Sequence, residues 1–243
     1  MLPGAGDIVL EISDLKVGYQ RGSLVLDGLS MAIGTGQSVA LLGRNGMGKT
    51  TLVRTIAGHL KPAAGSITLS GNAIAGLAPY RIARAGIGYV PQGREIFGEF
   101  TVEENLRMGL LGKPGLGDTI PDWAYELFPI LNERRDQRAG TMSGGQQQQL
   151  AIMRALLGKP DLLILDEPSE GIQPSIVHDI GKTLKGYAKA QGITILLVEQ
   201  NLDLVALLAE SVFFIENGII AECIDNVARL QDEPELVHRY LAV

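Results

Sequence analysis

The amino-acid sequence predicts an α/β fold with a mostly parallel central sheet and a helical insertion. Three short apolar runs, at residues 38–42, 162–165 and 193–198, have the length and composition of strands buried on both faces. Each run leads into a segment with helical periodicity, whereas the pattern between about residues 93 and 158 is helical only. Strands that alternate with helices are typical of a parallel sheet, so the helical block is predicted to interrupt an α/β core.

The first third of the chain is predicted to be rich in strands. Residues 8–19 alternate loosely between apolar and polar side chains, and residues 66–69 form a short run bounded by Gly65 and Gly71. A helix is expected over residues 49–59, directly after the first buried strand.

The middle block is predicted to contain three helices. They cover residues 105–111, 122–135 and 144–157. Thr101 and Glu104 have the spacing of a capping box, which favours the start of the first helix. Pro129 is expected to kink the second helix, because proline disrupts helical hydrogen bonding.

The last third returns to alternating strands and helices. Its helices are predicted at residues 175–190, 202–209 and 236–241, and its last two strands at residues 212–215 and 219–223. Asn217-Gly218 separates those two strands and is a strong signal for a tight hairpin turn.

Length and composition limit the classes of protein to consider. With 243 residues and 46% apolar content, the chain can form one large α/β domain with a packed core. A net charge of −6 without a long basic run argues against nucleic acid as a partner. No apolar run approaches the ~18–20 residues that cross a bilayer, and the N-terminus lacks a signal-peptide pattern, so a soluble protein is expected. The single cysteine, Cys223, excludes an internal disulfide and is interpreted as a packing residue.

A glycine-rich loop follows the first buried strand and precedes a predicted helix. Residues 43–50 read GRNGMGKT and fit the pattern G-x-x-x-x-G-K-[ST] of a phosphate-binding loop. Its glycines allow backbone N–H groups to surround phosphates, Lys49 is predicted to donate to the outer phosphates, and the Thr50 hydroxyl to ligate Mg²⁺. The nucleotide contacts are expected from Gly43, Arg44, Asn45, Gly46, Met47, Gly48, Lys49, Thr50 and Thr51. By itself, this motif predicts only that a nucleoside triphosphate binds.

Two carboxylates follow the second buried strand, in the sequence LLILDEP at residues 162–168. Ligands of parallel sheets collect at the carboxyl ends of the strands. Asp166 could hold Mg²⁺ there, and Glu167 could polarise the attacking water as a general base. A polar strand end without a catalytic role is the alternative, but the position downstream of a phosphate loop favours catalysis.

A third motif, MSGGQ at residues 142–146, opens a predicted helix between the phosphate loop and the carboxylate pair. Serine and two glycines at a helix N-terminus can bind an anion. The three motifs in this order resemble the ATP-binding-cassette (ABC) family, whose signature is LSGGQ, and the resemblance covers the whole chain. It implies a P-loop NTPase fold of the ABC-cassette type in a single domain. A RecA-like core with an antiparallel β part is expected over residues 1–92 and 159–243, and a helical subdomain over about residues 93–158.

The resemblance also implies a composite active site, because two ABC domains pair head to tail around ATP. The residues expected to contact the partner's nucleotide are Ser143, Gly144, Gly145 and Gln146. Gln92, in the run YVPQ, matches the glutamine that senses Mg²⁺ and the γ-phosphate. Tyr19 matches the aromatic residue that stacks on adenine, although it could instead pack in the core. The metal ligands implied are Thr50, Gln92 and Asp166.

Two positions depart from the common family pattern. Many members carry a histidine that holds the γ-phosphate where this chain has Gln200, and an aspartate where it has Gln173. Glutamine can donate a hydrogen bond but cannot carry a positive charge. We hypothesise a functional ATPase with a modified γ-phosphate sensor, in which the catalytic residues are Lys49, Gln92, Glu167 and Gln200.

Longer stretches narrow the resemblance further. The runs VPQGREIF, SGGQQQQLAI and DEPSEGIQPSI resemble the ATPase subunits of bacterial importers for branched-chain amino acids, urea and short amides, with SGGQQQQ and GIQPSI closer to the urea and amide branch. The resemblance implies transmembrane permease subunits, a second, non-identical ATPase subunit and, indirectly, a periplasmic or extracellular solute-binding protein. It also implies a peripheral location at the cytoplasmic face of the inner membrane. An exporter ATPase or a soluble, non-transport ABC ATPase is the alternative.

The permease is expected to dock in the groove between the core and the helical insertion. Residues 93–100 are the predicted contact segment, with Phe97 and Phe100 as apolar anchors. Either phenylalanine could instead pack within the insertion.

Overall fold

A computed structural model describes residues 8–20, 23–111, 115 and 117–241. The strands are β1 (Ile8–Gln20), β2 (Ser23–Gly34), β3 (Ser38–Leu42), β4 (Ala64–Leu69), β5 (Asn72–Ala73), β6 (Ile87–Val90), β7 (Leu162–Asp166), β8 (Thr194–Val198), β9 (Ser211–Glu216) and β10 (Ile219–Ile224). The helices are α1 (Lys49–Ile56), α2 (Pro79–Ala85), α3 (Val102–Leu110), α4 (Asp122–Leu127), α5 (Pro129–Glu133), α6 (Gly144–Leu157), α7 (Pro174–Gln191), α8 (Leu202–Leu208), α9 (Arg229–Asp232) and α10 (Pro234–Leu241).

The larger sheet has the strand order β10-β9-β3-β8-β7-β6. Its strands from β9 to β6 are parallel, and β10 pairs with β9 in an antiparallel hairpin. The predicted α/β class with a mostly parallel core sheet is therefore confirmed. The smaller sheet, in the order β2-β1-β4-β5, is antiparallel and supplies the β part that the family resemblance implied.

Every residue of β3, β7 and β8 is buried. Alternate side chains of these strands enter two different clusters of the hydrophobic core. In β3, for example, Ala40 and Leu42 belong to the cluster that includes α6 and α7, whereas Val39 and Leu41 belong to the cluster with α1 and the smaller sheet. The carboxyl ends of these central strands are therefore held rigidly from both sides.

Within the described residues, the segment between β6 and β7 contains helices and no strand of either sheet. The capping box predicted for α3 is confirmed, because the Thr101 hydroxyl accepts from the Glu104 N–H and the Glu104 carboxylate accepts from the Thr101 N–H. The helix predicted at residues 122–135 is two helices, α4 and α5. They separate at Phe128, where the following proline disfavours helical backbone.

Some predicted details differ from the structure. Helix α1 ends at Ile56 rather than at residue 59, and Gly58 then reverses the chain with a φ of +81°. Strands β2 and β6 and helix α2 were not predicted. Cys223 is exposed on the edge strand β10, so the predicted packing role is wrong, although neighbouring groups desolvate the thiol and raise its pKa. No helix among the described residues is long and apolar enough to span a membrane.

Candidate functional site

The glycine-rich loop connects the carboxyl end of β3 to the first turn of α1. Gly48 is the N-cap of α1 with a φ of +110°, and a Cβ at this position would lie 2.7 Å from Leu26 Cδ2. A Cβ on Gly43 would lie 2.5 Å from the Ile215 carbonyl oxygen. These two glycines are therefore required by close packing behind the loop, and the exposed front of the loop precedes a helix N-terminus suited to an anion.

Lys49 is buried, and its ammonium group folds back over the loop. Its Nζ donates to the Gly43 carbonyl at 2.6 Å and to the Arg44 carbonyl at 3.1 Å. Burial lowers the pKa of Lys49, while the nearby carboxylates of Glu167 and Asp166 act in the opposite direction. The ammonium group thus lies over the loop under the electrostatic influence of two acidic side chains, and a phosphate oxygen could replace one of its carbonyl acceptors.

Asp166 ends strand β7 and is 1% exposed. One carboxylate oxygen, Oδ2, accepts from the Tyr89 hydroxyl at 3.3 Å, whereas the buried Oδ1 has no hydrogen-bond partner. Burial, followed by the charge of Glu167, raises the pKa of Asp166 from 3.8 to about 6. A buried, unpartnered acidic oxygen is the environment that a hard cation would relieve, so the residue fits the predicted Mg²⁺ role.

Glu167 is held by amide groups from two other loops. The Gln92 amide donates to Glu167 Oε2 at 3.2 Å, and the Gln200 amide donates to Oε1 at 3.1 Å. The Gln200 amide also donates to Asn45 Oδ1 at 2.9 Å, which joins the phosphate loop to the same network. Glu167 has a φ of 49°, a conformation that non-glycine residues rarely adopt and that often marks functional sites. The fold therefore brings these four sequence-predicted residues into contact.

The other predicted nucleotide contacts occupy the surroundings of this network. Thr50 lies in the first turn of α1 and lines a small cavity with Asn45, Lys49 and Glu167. Tyr19 is 58% exposed at the end of β1, and its hydroxyl lies 3.3 Å from Thr51 Oγ1. The alternative that Tyr19 packs in the core is therefore wrong, and its ring is available next to the phosphate loop.

The signature residues lie at the N-terminus of α6. Ser143 forms a capping box with Gln146, in which the serine hydroxyl accepts from the Gln146 N–H. A Cβ on Gly145 would lie 2.7 Å from Ile176 Cγ2, so the second glycine is needed where α6 meets α7. Among the hydrogen bonds of the described residues, none joins Ser143, Gly144, Gly145 or Gln146 to the phosphate loop.

Three positioning residues were missed by the sequence analysis. The buried Glu199 carboxylate accepts from the N–H groups of Ser169, Gln200 and Asn201, and so joins the loops after β7 and β8. Tyr89 orients Asp166, and Asn105 fixes the loop after β6. The sequence around Glu199 gives no sign of this role, because the positions of its three donors depend on tertiary structure and turn geometry.

The chain resembles known proteins in both sequence and fold. The sequence model described as "ABC transporter" matches residues 26–170, which is more than half of the chain. A high-affinity branched-chain amino acid transport ATP-binding protein, BraG of Pseudomonas aeruginosa, is 43% identical over 93% of this chain and 97% of its own length. Nod factor export ATP-binding protein I of a Rhizobium species is 34% identical over 87% of this chain and 69% of its own. Among solved structures, a nucleotide-free ATP-binding cassette from an ABC transporter matches with a TM-score of 0.80 and 28% identity, over 95% of this chain and 97% of that one.

Proposed function

Since this chain belongs to the ABC transporter family of ATPases, we propose that it powers solute uptake through separate permease subunits. Branched-chain amino acids, urea or short amides are the proposed solutes. The relative from P. aeruginosa is a branched-chain amino acid transport ATP-binding protein, which supports the first of these classes. The Nod factor relative is an export protein, so an exporter is the competing function.

The main support for the proposed ATPase site is a hydrogen-bond network that joins four residues, Asn45, Gln92, Glu167 and Gln200. We assign Glu167 as the general base that polarises the attacking water, since its two carboxylate oxygens are oriented by amide donors. Gln92 and Gln200 place their amides on either side of that carboxylate, where they can sense the γ-phosphate. Gln200 does so without a proton that titrates near neutral pH.

Lys49 and the backbone of the phosphate loop would bind the β- and γ-phosphates of ATP, and the exposed ring of Tyr19 would stack on adenine. Mg²⁺, when bound, would neutralise phosphate charge, and Asp166, the Thr50 hydroxyl and the Gln92 amide oxygen are the groups that would hold it. Among the described residues there is no cluster of three or more acidic, histidine or cysteine side chains that could hold a metal by itself. This donor set suits Mg²⁺, which keeps waters and phosphate oxygens in its coordination shell.

We further propose that a second ATP-binding subunit supplies the other half of each site. Ser143, Gly144, Gly145 and Gln146 present a helix N-terminus, and no hydrogen bond in the described residues ties them to the phosphate loop of the same chain. A head-to-tail partner would place this terminus against the nucleotide of the opposite subunit. A non-identical partner is proposed for the full complex.

The permease is proposed to dock between the core and the helical subdomain, for which we keep the boundaries of about residues 93–158. A groove of about 650 Å³ lies there and is lined by residues of α2, β6, α3 and α6, together with Phe97. Phe97 and Phe100 are 44% and 42% exposed, and their rings stack with centroids 5.3 Å apart. Exposed aromatic pairs of this kind favour an interface. With a permease docked there, the proposed location is peripheral, at the cytoplasmic face of the inner membrane.

The ATPase proposal is tested by Glu167→Gln, with exposed Glu126→Gln as the control. Replacement of the general base should lower kcat by about 10²–10⁴-fold and leave ATP bound, because the amide cannot accept the proton of water. Turnover that survives in Glu167→Gln would refute the assignment.

The transported solute and the direction of transport are tested in the complex co-purified with its native permeases and reconstituted in vesicles. Stimulation of ATP hydrolysis by a loaded solute-binding protein supports uptake, whereas movement of solute out of the ATP-containing compartment supports export.

A further inference from the structure

The Asn217-Gly218 turn, predicted as a simple hairpin, contacts the phosphate loop. The Gly218 N–H donates to the Met47 carbonyl oxygen at 3.1 Å, and the Asn217 N–H donates to Met47 Sδ at 3.5 Å. Strand topology explains the contact. Strands β9 and β3 are parallel neighbours, so the turn that follows β9 lies at the same edge of the sheet as the loop that follows β3.

The turn has little freedom to move away from the loop. Gly218 is buried with a φ of +79°, and a Cβ at this position would lie 2.0 Å from the Val25 carbonyl oxygen and 3.0 Å from Leu26 Cα. The backbone of β2 therefore supports the turn, while the sulfur of Met47 accepts from the Asn217 N–H. Even a single methyl group on Gly218 would have to displace the turn, because backbone atoms cannot rotate aside.

Met47 transmits this position to the lysine of the loop. The Met47 N–H donates to the Arg44 carbonyl oxygen at 3.4 Å, and the same oxygen accepts from Lys49 Nζ at 3.1 Å. The hydrogen bond from Gly218 thus holds the carbonyl group of Met47, and the hydrogen bond to Arg44 holds its N–H group. A shift of the turn would alter both the backbone N–H directions around residue 47 and the carbonyl that orients Lys49.

We propose that the Asn217-Gly218 turn is a positioning element that holds the phosphate loop in its nucleotide-binding conformation and thereby sets nucleotide affinity. The inference rests on the proposed role of residues 43–50 in binding the triphosphate. It assigns a role in ATP binding to a turn about 170 residues from Met47 in sequence. The sequence pattern alone predicts only a hairpin at this turn.

The chain contains a matched control turn. Ser70-Gly71 connects β4 and β5, and its φ values of 47° and 76° nearly equal the 48° and 79° of Asn217 and Gly218. A Cβ on Gly71 would meet nothing within 4 Å. Gly71→Ala and Gly218→Ala therefore impose the same backbone strain, and only Gly218→Ala also pushes the turn against its neighbours.

The experiment measures ADP affinity of the full chain by calorimetry in the presence of Mg²⁺, together with the KM and kcat of ATP hydrolysis. We expect Gly218→Ala to weaken ADP binding and raise KM by about tenfold, because small displacements of binding groups have large effects. Gly71→Ala should change affinity by less than about twofold, within the range of surface substitutions. Equal affinities of the two variants would overturn the proposal.

If Gly218→Ala does not fold, a measurement on the unaltered chain tests whether the turn and the nucleotide site are coupled. Thermodynamic linkage is reciprocal. If the turn raises nucleotide affinity by a given factor, bound nucleotide must raise the equilibrium stability of the turn by the same factor. Saturating ADP and Mg²⁺ should therefore slow amide hydrogen exchange at Gly218 by about tenfold. Exchange at Gly71 should be unchanged, and equal protection of both turns would overturn the proposal.

Lys49→Ala separates this inference from the function on which it rests. If Lys49→Ala binds ADP and ATP as tightly as the unaltered chain, the proposed phosphate-loop role fails. If Lys49→Ala loses affinity and Gly218→Ala behaves like Gly71→Ala, the loop assignment stands and only the positioning role of the turn fails.

Discussion

Asn105 holds the loop that we propose to face the permease, and its replacement by alanine should destabilise the protein strongly. The side chain is completely buried in α3. Its Oδ1 accepts from the Phe97 N–H at 2.9 Å, and its Nδ2 donates to the carbonyl oxygens of Phe97 and Thr101, both at 2.9 Å. Arg154 also reaches Oδ1, at 3.5 Å, and donates to the Glu95 carbonyl at 2.7 Å.

The expected magnitude follows from these bonds. Each of the three short hydrogen bonds contributes about 0.5–1.5 kcal/mol, so Asn105→Ala should lower the free energy of unfolding by roughly 1.5–4.5 kcal/mol. Asn105→Asp would keep the acceptor for the Phe97 N–H but turn a buried carboxylate toward two carbonyl oxygens. We therefore expect Asn105→Asp to be at least as destabilising as alanine.

The assay is urea denaturation followed by the fluorescence of Trp123, the single tryptophan, which stacks on Tyr187 at 5.3 Å. Asn72→Ala is the matched control, because Asn72 is exposed and makes one local hydrogen bond to Ser70. The control should change stability by less than about 0.5 kcal/mol. A loss below about 1 kcal/mol for Asn105→Ala would refute the reasoning, since the three bonds would then add nothing beyond solvation.

Two further predictions concern the nucleotide site. Without nucleotide or Mg²⁺, the folded-state pKa of Asp166 is raised from 3.8 to about 6, so ionisation of this group opposes folding. That penalty is absent below pH 3.8 and complete above about pH 6, and Asp166→Asn should remove it, raising stability in EDTA at pH 7.5 by up to about 3 kcal/mol while impairing Mg²⁺-dependent ATP binding. Thermal melts across pH 4–8 test this, and a gain that does not grow with pH would contradict it. Gly145→Val should destabilise the chain by about 1–3 kcal/mol through overpacking against Ile176, and Ile176→Ala should recover part of that loss. A double-mutant cycle measures the coupling, and strict additivity of the two changes would argue against the contact.

The features that were predictable from sequence are those with a local physical cause. Residues 43–50 combine glycines, a lysine and a threonine within one loop, and the capping box of Thr101 and Glu104 is complete within four positions. The buried strands are apolar except for one polar residue at an end, Ser38 in β3 and Asp166 in β7, because helices or a second sheet cover both faces. In the loop and the capping box the interacting groups are close in the chain, so the sequence pattern alone is sufficient to predict them.

The features that were missed depend on which loops meet. Glu199 was overlooked because its donors Ser169 and Asn201 come from two different loops, and Cys223 was misplaced because an edge strand exposes alternate residues even within an apolar run. Strand β6 was also missed, since Ile87–Val90 is short and gains its burial from β7 beside it. Such residues acquire their roles only after the sheet order is known.

The two glycine turns show this limit most directly. Asn217-Gly218 and Ser70-Gly71 have the same backbone conformation and follow the same local rules, so a sequence argument gives them the same function. Their difference arises from topology, because β9 lies parallel to β3 and ends beside the phosphate loop, whereas β4 belongs to the other sheet. If nucleotide affinity changes in Gly218→Ala and not in Gly71→Ala, the Asn217-Gly218 turn is part of the ATP site. It is so because β9 pairs in parallel with β3. The same reasoning predicts that further positioning residues lie at the carboxyl edge of β8, where the carboxylate of Glu199 already joins the loops after β7 and β8.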